Sequence, residues 1–165
     1  MDLKKIIRLS YLTALMIVLG MIENYIPFLN GIIPGFKIGF ANIIVLILLY
    51  SFSFKEAFLA SILRVLVVSL ITTGFGINFL FSLCGAIVSI IAMVFSKKTK
   101  LSIIGVSMVG SIFHVVSQIL VAVLIFQNTV FFYYLPILII ISIITGFILG
   151  FIAKEIINHI NDLKI

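Results

Sequence analysis

Six apolar runs of bilayer-spanning length follow one another along the chain, approximately Leu9 to Leu29, Ile38 to Phe54, Glu56 to Thr73, Ile77 to Phe95, Leu101 to Phe126 and Phe131 to Ala153. A helix needs about 20 residues to cross the hydrocarbon, and about 17 at the least, so the second and third runs qualify narrowly. The runs lack the alternation of a barrel strand, which leaves helices as the way to satisfy every backbone amide in lipid. Composition agrees. Hydrophobic residues make up 64% of the 165 and charged residues 10%, against about 25% charged in a soluble domain. The mean hydropathy is +1.44. The expectation is an all-α integral membrane protein, a single domain of six transmembrane helices over residues 1–165, in the cell membrane. No low-complexity tract or linker interrupts it, and the links at Lys55 and at Gly74 to Gly76 are too short to hold a second domain.

The basic residues orient the bundle. With a cytoplasmic N-terminus, the inside segments hold Lys4, Lys5, Arg8, Lys55, Lys97, Lys98, Lys100, Lys154 and Lys164, and the outside holds Lys37. The positive-inside rule then places both termini in the cytoplasm, as an even number of spans requires. The net charge of +6 is accounted for by topology and by contact with anionic membrane lipid. It does not indicate nucleic acid, which needs a clustered soluble face. Lys4, Lys5 and Arg8 before an apolar run resemble a secretory leader, but the run exceeds the usual 7–15 residues of a signal core, so it reads as a retained helix. Cys84, the single cysteine, lies inside the fourth run.

The connection PFLNGIIPGFK, Pro27 to Lys37, combines helix-breaking prolines and glycines with Phe28, Leu29, Ile32, Ile33 and Phe36, which are too apolar for free exposure. It is expected to pack back over the bundle, either as a lid on an outward cavity or as a hydrophobic turn in the interface.

Polar residues inside the runs are few. Arg64 lies near the middle of the third, where an arginine costs roughly 2.5–3.5 kcal/mol and faces a partner, a cavity or a ligand. Glu23, Asn24, Lys37, Asn42 and Asn78 fall toward the outer side, with His114 and Gln118 four residues apart in the middle of the fifth run. A polar cavity opening outward would collect all eight as substrate-binding residues. The alternative is that each bonds a neighbouring helix, with Glu23 neutralising Arg64. Gly110, His114, Gln118 and Ala122 form one stripe, suited either to a ligand or to close approach of another helix. Ser142, Gly146 and Gly150 form a second stripe, read as packing. Ser10 and Ala14 make a small-residue step near the inner end of the first run, available to a neighbouring helix or a separate partner.

Several catalytic chemistries lack their residues. A prenyl diphosphate synthase active site needs clustered aspartates to hold magnesium, and the aspartates here are Asp2 and Asp162, at opposite ends. No GxxxxGK[ST] loop is present for ATP hydrolysis. His114 and His159 are too far apart in the bundle to form a metal site together, and no Ser, His and acid set is placed for nucleophilic attack. The chain is therefore expected to be no enzyme, with no cofactor.

The strings IENYIP, PGFKIGFANI, FLFSLCGAIVS, GSIFHVVSQ and YLPILIIISIITGFILG, with the Arg64 span between them, resemble the successive blocks of the family called heptaprenyl diphosphate synthase component I, also the Gx transporter family. The likeness runs from about Leu9 to about Lys154. Its most specific pieces are PGxKxGxAN, here Pro34, Gly35, Lys37, Gly39, Ala41 and Asn42, and the pair His114 and Gln118; where the family pattern has Asn after the His, this chain has Val115. The family is in turn similar to the substrate-binding S components of energy-coupling factor (ECF) transporters, which implies six helices, cytoplasmic ends and an outward lid between the first two helices. Two functions are implied. One is uptake of a small, anionic or polar molecule, with a separate transmembrane coupling subunit and ATPase subunits supplying energy and Ser10 and Ala14 as the docking step. The other is a non-catalytic membrane component of polyprenyl diphosphate synthesis. The residue accounting leans to uptake.

Overall fold

The computed structural model describes residues 3–25, 37 and 39–162, and among them every regular element is helical. The helices are α1 (Leu3–Tyr25), α2 (Asn42–Ser51), α3 (Phe54–Val68), α4 (Ile77–Lys98), α5 (Ile103–Phe126) and α6 (Leu135–Asp162). A π turn, Ser69–Thr73, extends α3, and a 3₁₀ turn, Thr129–Tyr134, leads into α6. Local chemistry sets the boundaries. Ser102 caps α5 by accepting from the Gly105 amide at 3.1 Å, and Gln127 ends it in the left-handed region at φ 47°. Pro136 sits in the first turn of α6, where its missing N–H costs nothing. Gly74, at φ 68°, closes the π turn by donating to the Ser69 carbonyl at 2.6 Å.

Among the described residues, four segments are long and apolar enough to cross a membrane by length and composition: α1, α4, α5, and the 3₁₀ turn with α6. Six α-helices are present among the described residues, as expected, but the second is shorter than its apolar run. At 1.5 Å per residue, the ten residues of α2 reach about 15 Å, half of a hydrocarbon core of about 30 Å. Its apolar run breaks at Phe52 and Ser53, where the backbone turns extended and the Ser53 hydroxyl donates to Glu56. α3 has fifteen residues and gains its remaining length from the π turn, which ends at Thr73 as the run predicts. α1 begins six residues earlier than expected, and α6 continues nine residues past Ala153.

α2 is the centre of the bundle. Every residue from Asn42 to Leu49 is buried, because α2 packs against α1, α3, α4, α5 and α6. A helix apolar on all sides has no face for water. α4, α5 and α6 pack through small residues, as the Gly146 and Gly150 stripe predicts. A Cβ at Gly146 would stand 2.8 Å from Met108 Cα, and one at Gly150 2.9 Å from Ile104 Cα. Between α4 and α5, Gly110 leaves room for the Met93 side chain, and its carbonyl accepts from Ser89 Oγ at 2.8 Å. The outside of the bundle is itself apolar: Ile137, Ile140, Ile144, Phe147 and Phe151 are all exposed along α6.

The basic residues gather at one end. Lys5 pairs with Glu56 at 2.7 Å, tying the start of α1 to the start of α3, and Lys97 Nζ donates to the Leu49 carbonyl at 2.7 Å, tying the end of α4 to the end of α2. The last turns of α6 reach the same end, where Ile156 and Ile160 share a cavity with Arg8.

Candidate functional site

The helix breaks and glycines described above bring Glu23, Lys37 and Arg64 together. Arg64 projects from α3 toward α1 opposite Gly20; a Cβ on that glycine would meet Val68 Cγ2 at 3.1 Å and Arg64 Cδ at 3.5 Å. Gly39 adopts φ +89°, a conformation other residues rarely accept, and a Cβ there would stand 2.7 Å from Asn42 Nδ2. This turn delivers the chain onto α2 and presents the Gly39 and Phe40 amides to Glu23 Oε1, Phe40 at 3.2 Å. Lys37, just before it, donates from Nζ to Ser82 Oγ on α4 at 2.7 Å, and Ser82 passes its own hydrogen to the Asn78 carbonyl at 2.8 Å.

These groups line a cavity with Gly20, Val65, Val68 and Ser69, and its volume is about 10 Å³. That is space for about one water molecule. Arg64 is 5% exposed, and its Nε has no hydrogen-bond partner among the described residues. Glu23 Oε2 and Asn42 Nδ2 are likewise buried without partners there. Glu23 and Arg64 form no ion pair. The carboxylate instead holds the turn before α2. Burial brings the Lys37 ammonium down to about 8, opposed by the Glu23 carboxylate and assisted by the Arg64 guanidinium.

His114 and Gln118 lie beside this group on α5, both buried. The His114 ring fits a notch at Gly85, where a Cβ would stand 2.7 Å from its Cε1, and its Cδ2 is 4.0 Å from the ideal Cβ position of Gly39. Its Nε2 meets Gln118 Nε2 at 3.3 Å, so the ring nitrogen accepts. Gln118 Oε1 has no partner among the described residues, and His114 Nδ1 lies against the Gly85 main chain without a hydrogen bond of acceptable geometry.

Of the eight expected substrate-binding residues, Glu23, Lys37 and Arg64 converge on the cavity; Asn42, His114 and Gln118 are outside its lining, Asn42 and His114 lying against Gly39 and Gln118 against His114. Asn24 stands apart, donating from Nδ2 to Thr72 Oγ1 at 3.0 Å and so fastening α1 to the π turn. Asn78 serves through its backbone carbonyl. Of the expected lid, Pro27 to Lys37, residues 27–36 lie outside the described residues. Ser10 and Ala14 are exposed and line an open, mainly apolar groove of about 450 Å³ between α1 and α3. The residues that sequence reasoning missed are Ser82, Gly39 and Gly85. Gly39 sits within the quoted PGxKxGxAN string, and Ser82 stands four residues after Asn78 on a face of α4 with Ala86 and Ser89, which is the signal that could have found it.

The cavity is lined by two cationic side chains, Lys37 and Arg64, against one carboxylate, Glu23, whose first oxygen is already engaged. Its chemistry is the holding of a negative charge or of oxygen acceptors. Among the described residues no three His, Cys, Asp or Glu side chains converge as metal ligands.

Residues 12–156 match the family model described as Heptaprenyl diphosphate synthase component I, and the chain belongs to that family. Comparison with curated proteins and with solved structures gives no match. The family description names a component of a synthase, in agreement with the second function that the resemblance implied; the uptake reading and the likeness to S components draw no support from it.

Proposed function

We propose, from its place in the heptaprenyl diphosphate synthase component I family, that the chain is a multi-pass membrane protein and a non-catalytic component of polyprenyl diphosphate synthesis, holding a small anionic group at Lys37 and Arg64. The observation that carries this reading is the buried Arg64 Nε with no partner among the described residues, beside a Lys37 ammonium that donates to the Ser82 hydroxyl. A guanidinium at bilayer depth is costly unless something answers it. A phosphate or diphosphate oxygen has the geometry and charge to do so. With space for about one water, the cluster as it stands is closed, so an occupant of that size enters by displacing Lys37 from Ser82 and moving the turn at Gly39. The test is mass spectrometry of small molecules that copurify with the detergent-solubilised protein: a prenyl diphosphate is expected, and its loss in Arg64→Ala would tie it to the cluster.

A second reading is an S-component-like subunit for uptake, using ATPase subunits on separate chains and docking them at Ser10 and Ala14. The observation that favours it is the hold of Glu23 on the Gly39 and Phe40 amides, which ties the turn before α2 to α1 beside the cluster. Copurification of a water-soluble, vitamin-like or nucleotide-like molecule together with an ATPase module would favour this reading over the first.

A further inference from the structure

We propose that the groove between α1, α2 and α6 is a binding site for one anionic phospholipid of the surrounding leaflet, with its phosphate at Arg8 and part of one acyl chain along the groove. The proposal rests on the membrane reading above and is independent of the Lys37 and Arg64 cluster.

The groove has a volume of about 500 Å³, within the range of small-molecule sites of about 300–1,000 Å³. Its two ends differ. α1 runs away from the basic end of the bundle and α2 runs back toward it, so Arg8 and Tyr11 on α1 meet Tyr50 and Ser51 on α2 at one end. Leu12, Leu15, Ile44 and Ile47 form the deeper part. From Arg8 to Leu15 the α1 wall rises about 10 Å at 1.5 Å per residue, long enough for part of an acyl chain.

The polar end is cationic. Arg8 is half-buried, and its guanidinium makes no hydrogen bond or ion pair with another described residue. Lys97 stands 4.3 Å from the centre of the Tyr50 ring, adding a second positive charge beside the groove. The nearby carboxylate of Glu56 is engaged by Lys5. Arginine side chains at a membrane surface extend their charge to the headgroup level while their stems cover apolar surface.

The groove also opens sideways. Tyr11 is 69% exposed, and Leu15 and Ile156 on its two rims are each 38% exposed. An occupant can therefore slide in from the hydrocarbon of the same leaflet. A free phosphate would satisfy Arg8 and leave the isoleucine and leucine walls uncovered; a zwitterionic lipid would cover the walls but bring its own ammonium, with its phosphate, beside Arg8 and Lys97. An anionic phospholipid satisfies Arg8 and covers the walls.

The experiment is native mass spectrometry of the full-length protein in detergent, titrated with phosphatidylglycerol or phosphatidylcholine. One phosphatidylglycerol should bind more tightly than any phosphatidylcholine. Arg8→Gln should weaken the phosphatidylglycerol site about fivefold, the equivalent of about 1 kcal/mol for one basic residue at a lipid surface, and leave phosphatidylcholine unchanged. Leu15→Trp, which fills the groove from its rim, should remove the tight site while thermal unfolding shows a folded protein. Equal binding of the two lipids, or an Arg8→Gln variant that binds phosphatidylglycerol as before, would overturn the proposal. So would farnesyl phosphate displacing phosphatidylglycerol at lower concentration than a second phosphatidylglycerol does, which would assign the groove to an isoprenoid. Because neither variant touches the Lys37 and Arg64 cluster, failure here is distinguishable from failure of the proposed function.

Discussion

Arg64 and Glu23 face the same small cavity, yet the carboxylate is committed to two backbone amides and the guanidinium to no described side chain. This division of labour has consequences that differ from those of a salt bridge. Arg64→Ala is expected to abolish retention of the copurifying anion while costing less than about 1.5 kcal/mol of stability, because Glu23 keeps its own partners. Thermal unfolding in detergent measures the second part. A loss of about 3–5 kcal/mol, the usual result of stranding one half of a buried pair, rescued by adding Glu23→Gln, would show that the two residues act as a pair after all. Glu23→Leu should be the more damaging change, by about 2 kcal/mol or more, since it strips the acceptor from two amides at the turn before α2. Lys37 makes the site sensitive to alkali. Its ammonium, lowered by burial to about 8, is charged below that pH and neutral above it, so anion affinity should fall as pH rises through about 8. In Lys37→Met this pH dependence should vanish and the affinity at neutral pH should be lower throughout.

Helices α4, α5 and α6 touch through glycines, so enlarging one of these residues tests the packing directly. Gly150→Leu places side-chain atoms where Ile104 Cα and Ser107 now stand, and a loss of about 1–3 kcal/mol is expected from overpacking, read as a lower unfolding temperature. α4 to α6 were legible in the sequence because their hydropathy continues without interruption for the length of a bilayer. α2 was not. Its apolar run from Ile43 to Leu49 reads the same whether it spans lipid or lies buried, and periodicity does not separate the two. The site divides in the same way. Glu23, Arg64 and His114 stood out as polar residues in apolar runs, whereas Gly39 and Gly85 act by what they lack, and a missing side chain gains meaning only when its neighbour is known. Asn24 shows the other side: a polar residue in an apolar run whose side chain fastens α1 to a π turn no hydropathy pattern announces.

Across the whole molecule, the gathering of Lys5, Arg8 and Lys97 at one end gives the topology a simple test. Ser102 is exposed in the turn between α4 and α5, so Ser102→Cys in a Cys84→Ser background should resist a membrane-impermeant thiol reagent applied to intact cells and react after the membrane is opened. Efficient labelling of intact cells would place that turn outside and undo the assigned orientation. The burial of α2 bears on how the protein is made. α6 is translated long after α2 and supplies one wall around it, so the newborn chain holds an incompletely covered segment until α6 is made. That interval is when membrane chaperones and quality-control proteases would find it. A chain stopped before Leu135 should accordingly be cleared from cells within minutes of synthesis in pulse-chase labelling, and supplying α6 as a separate peptide should prolong its life.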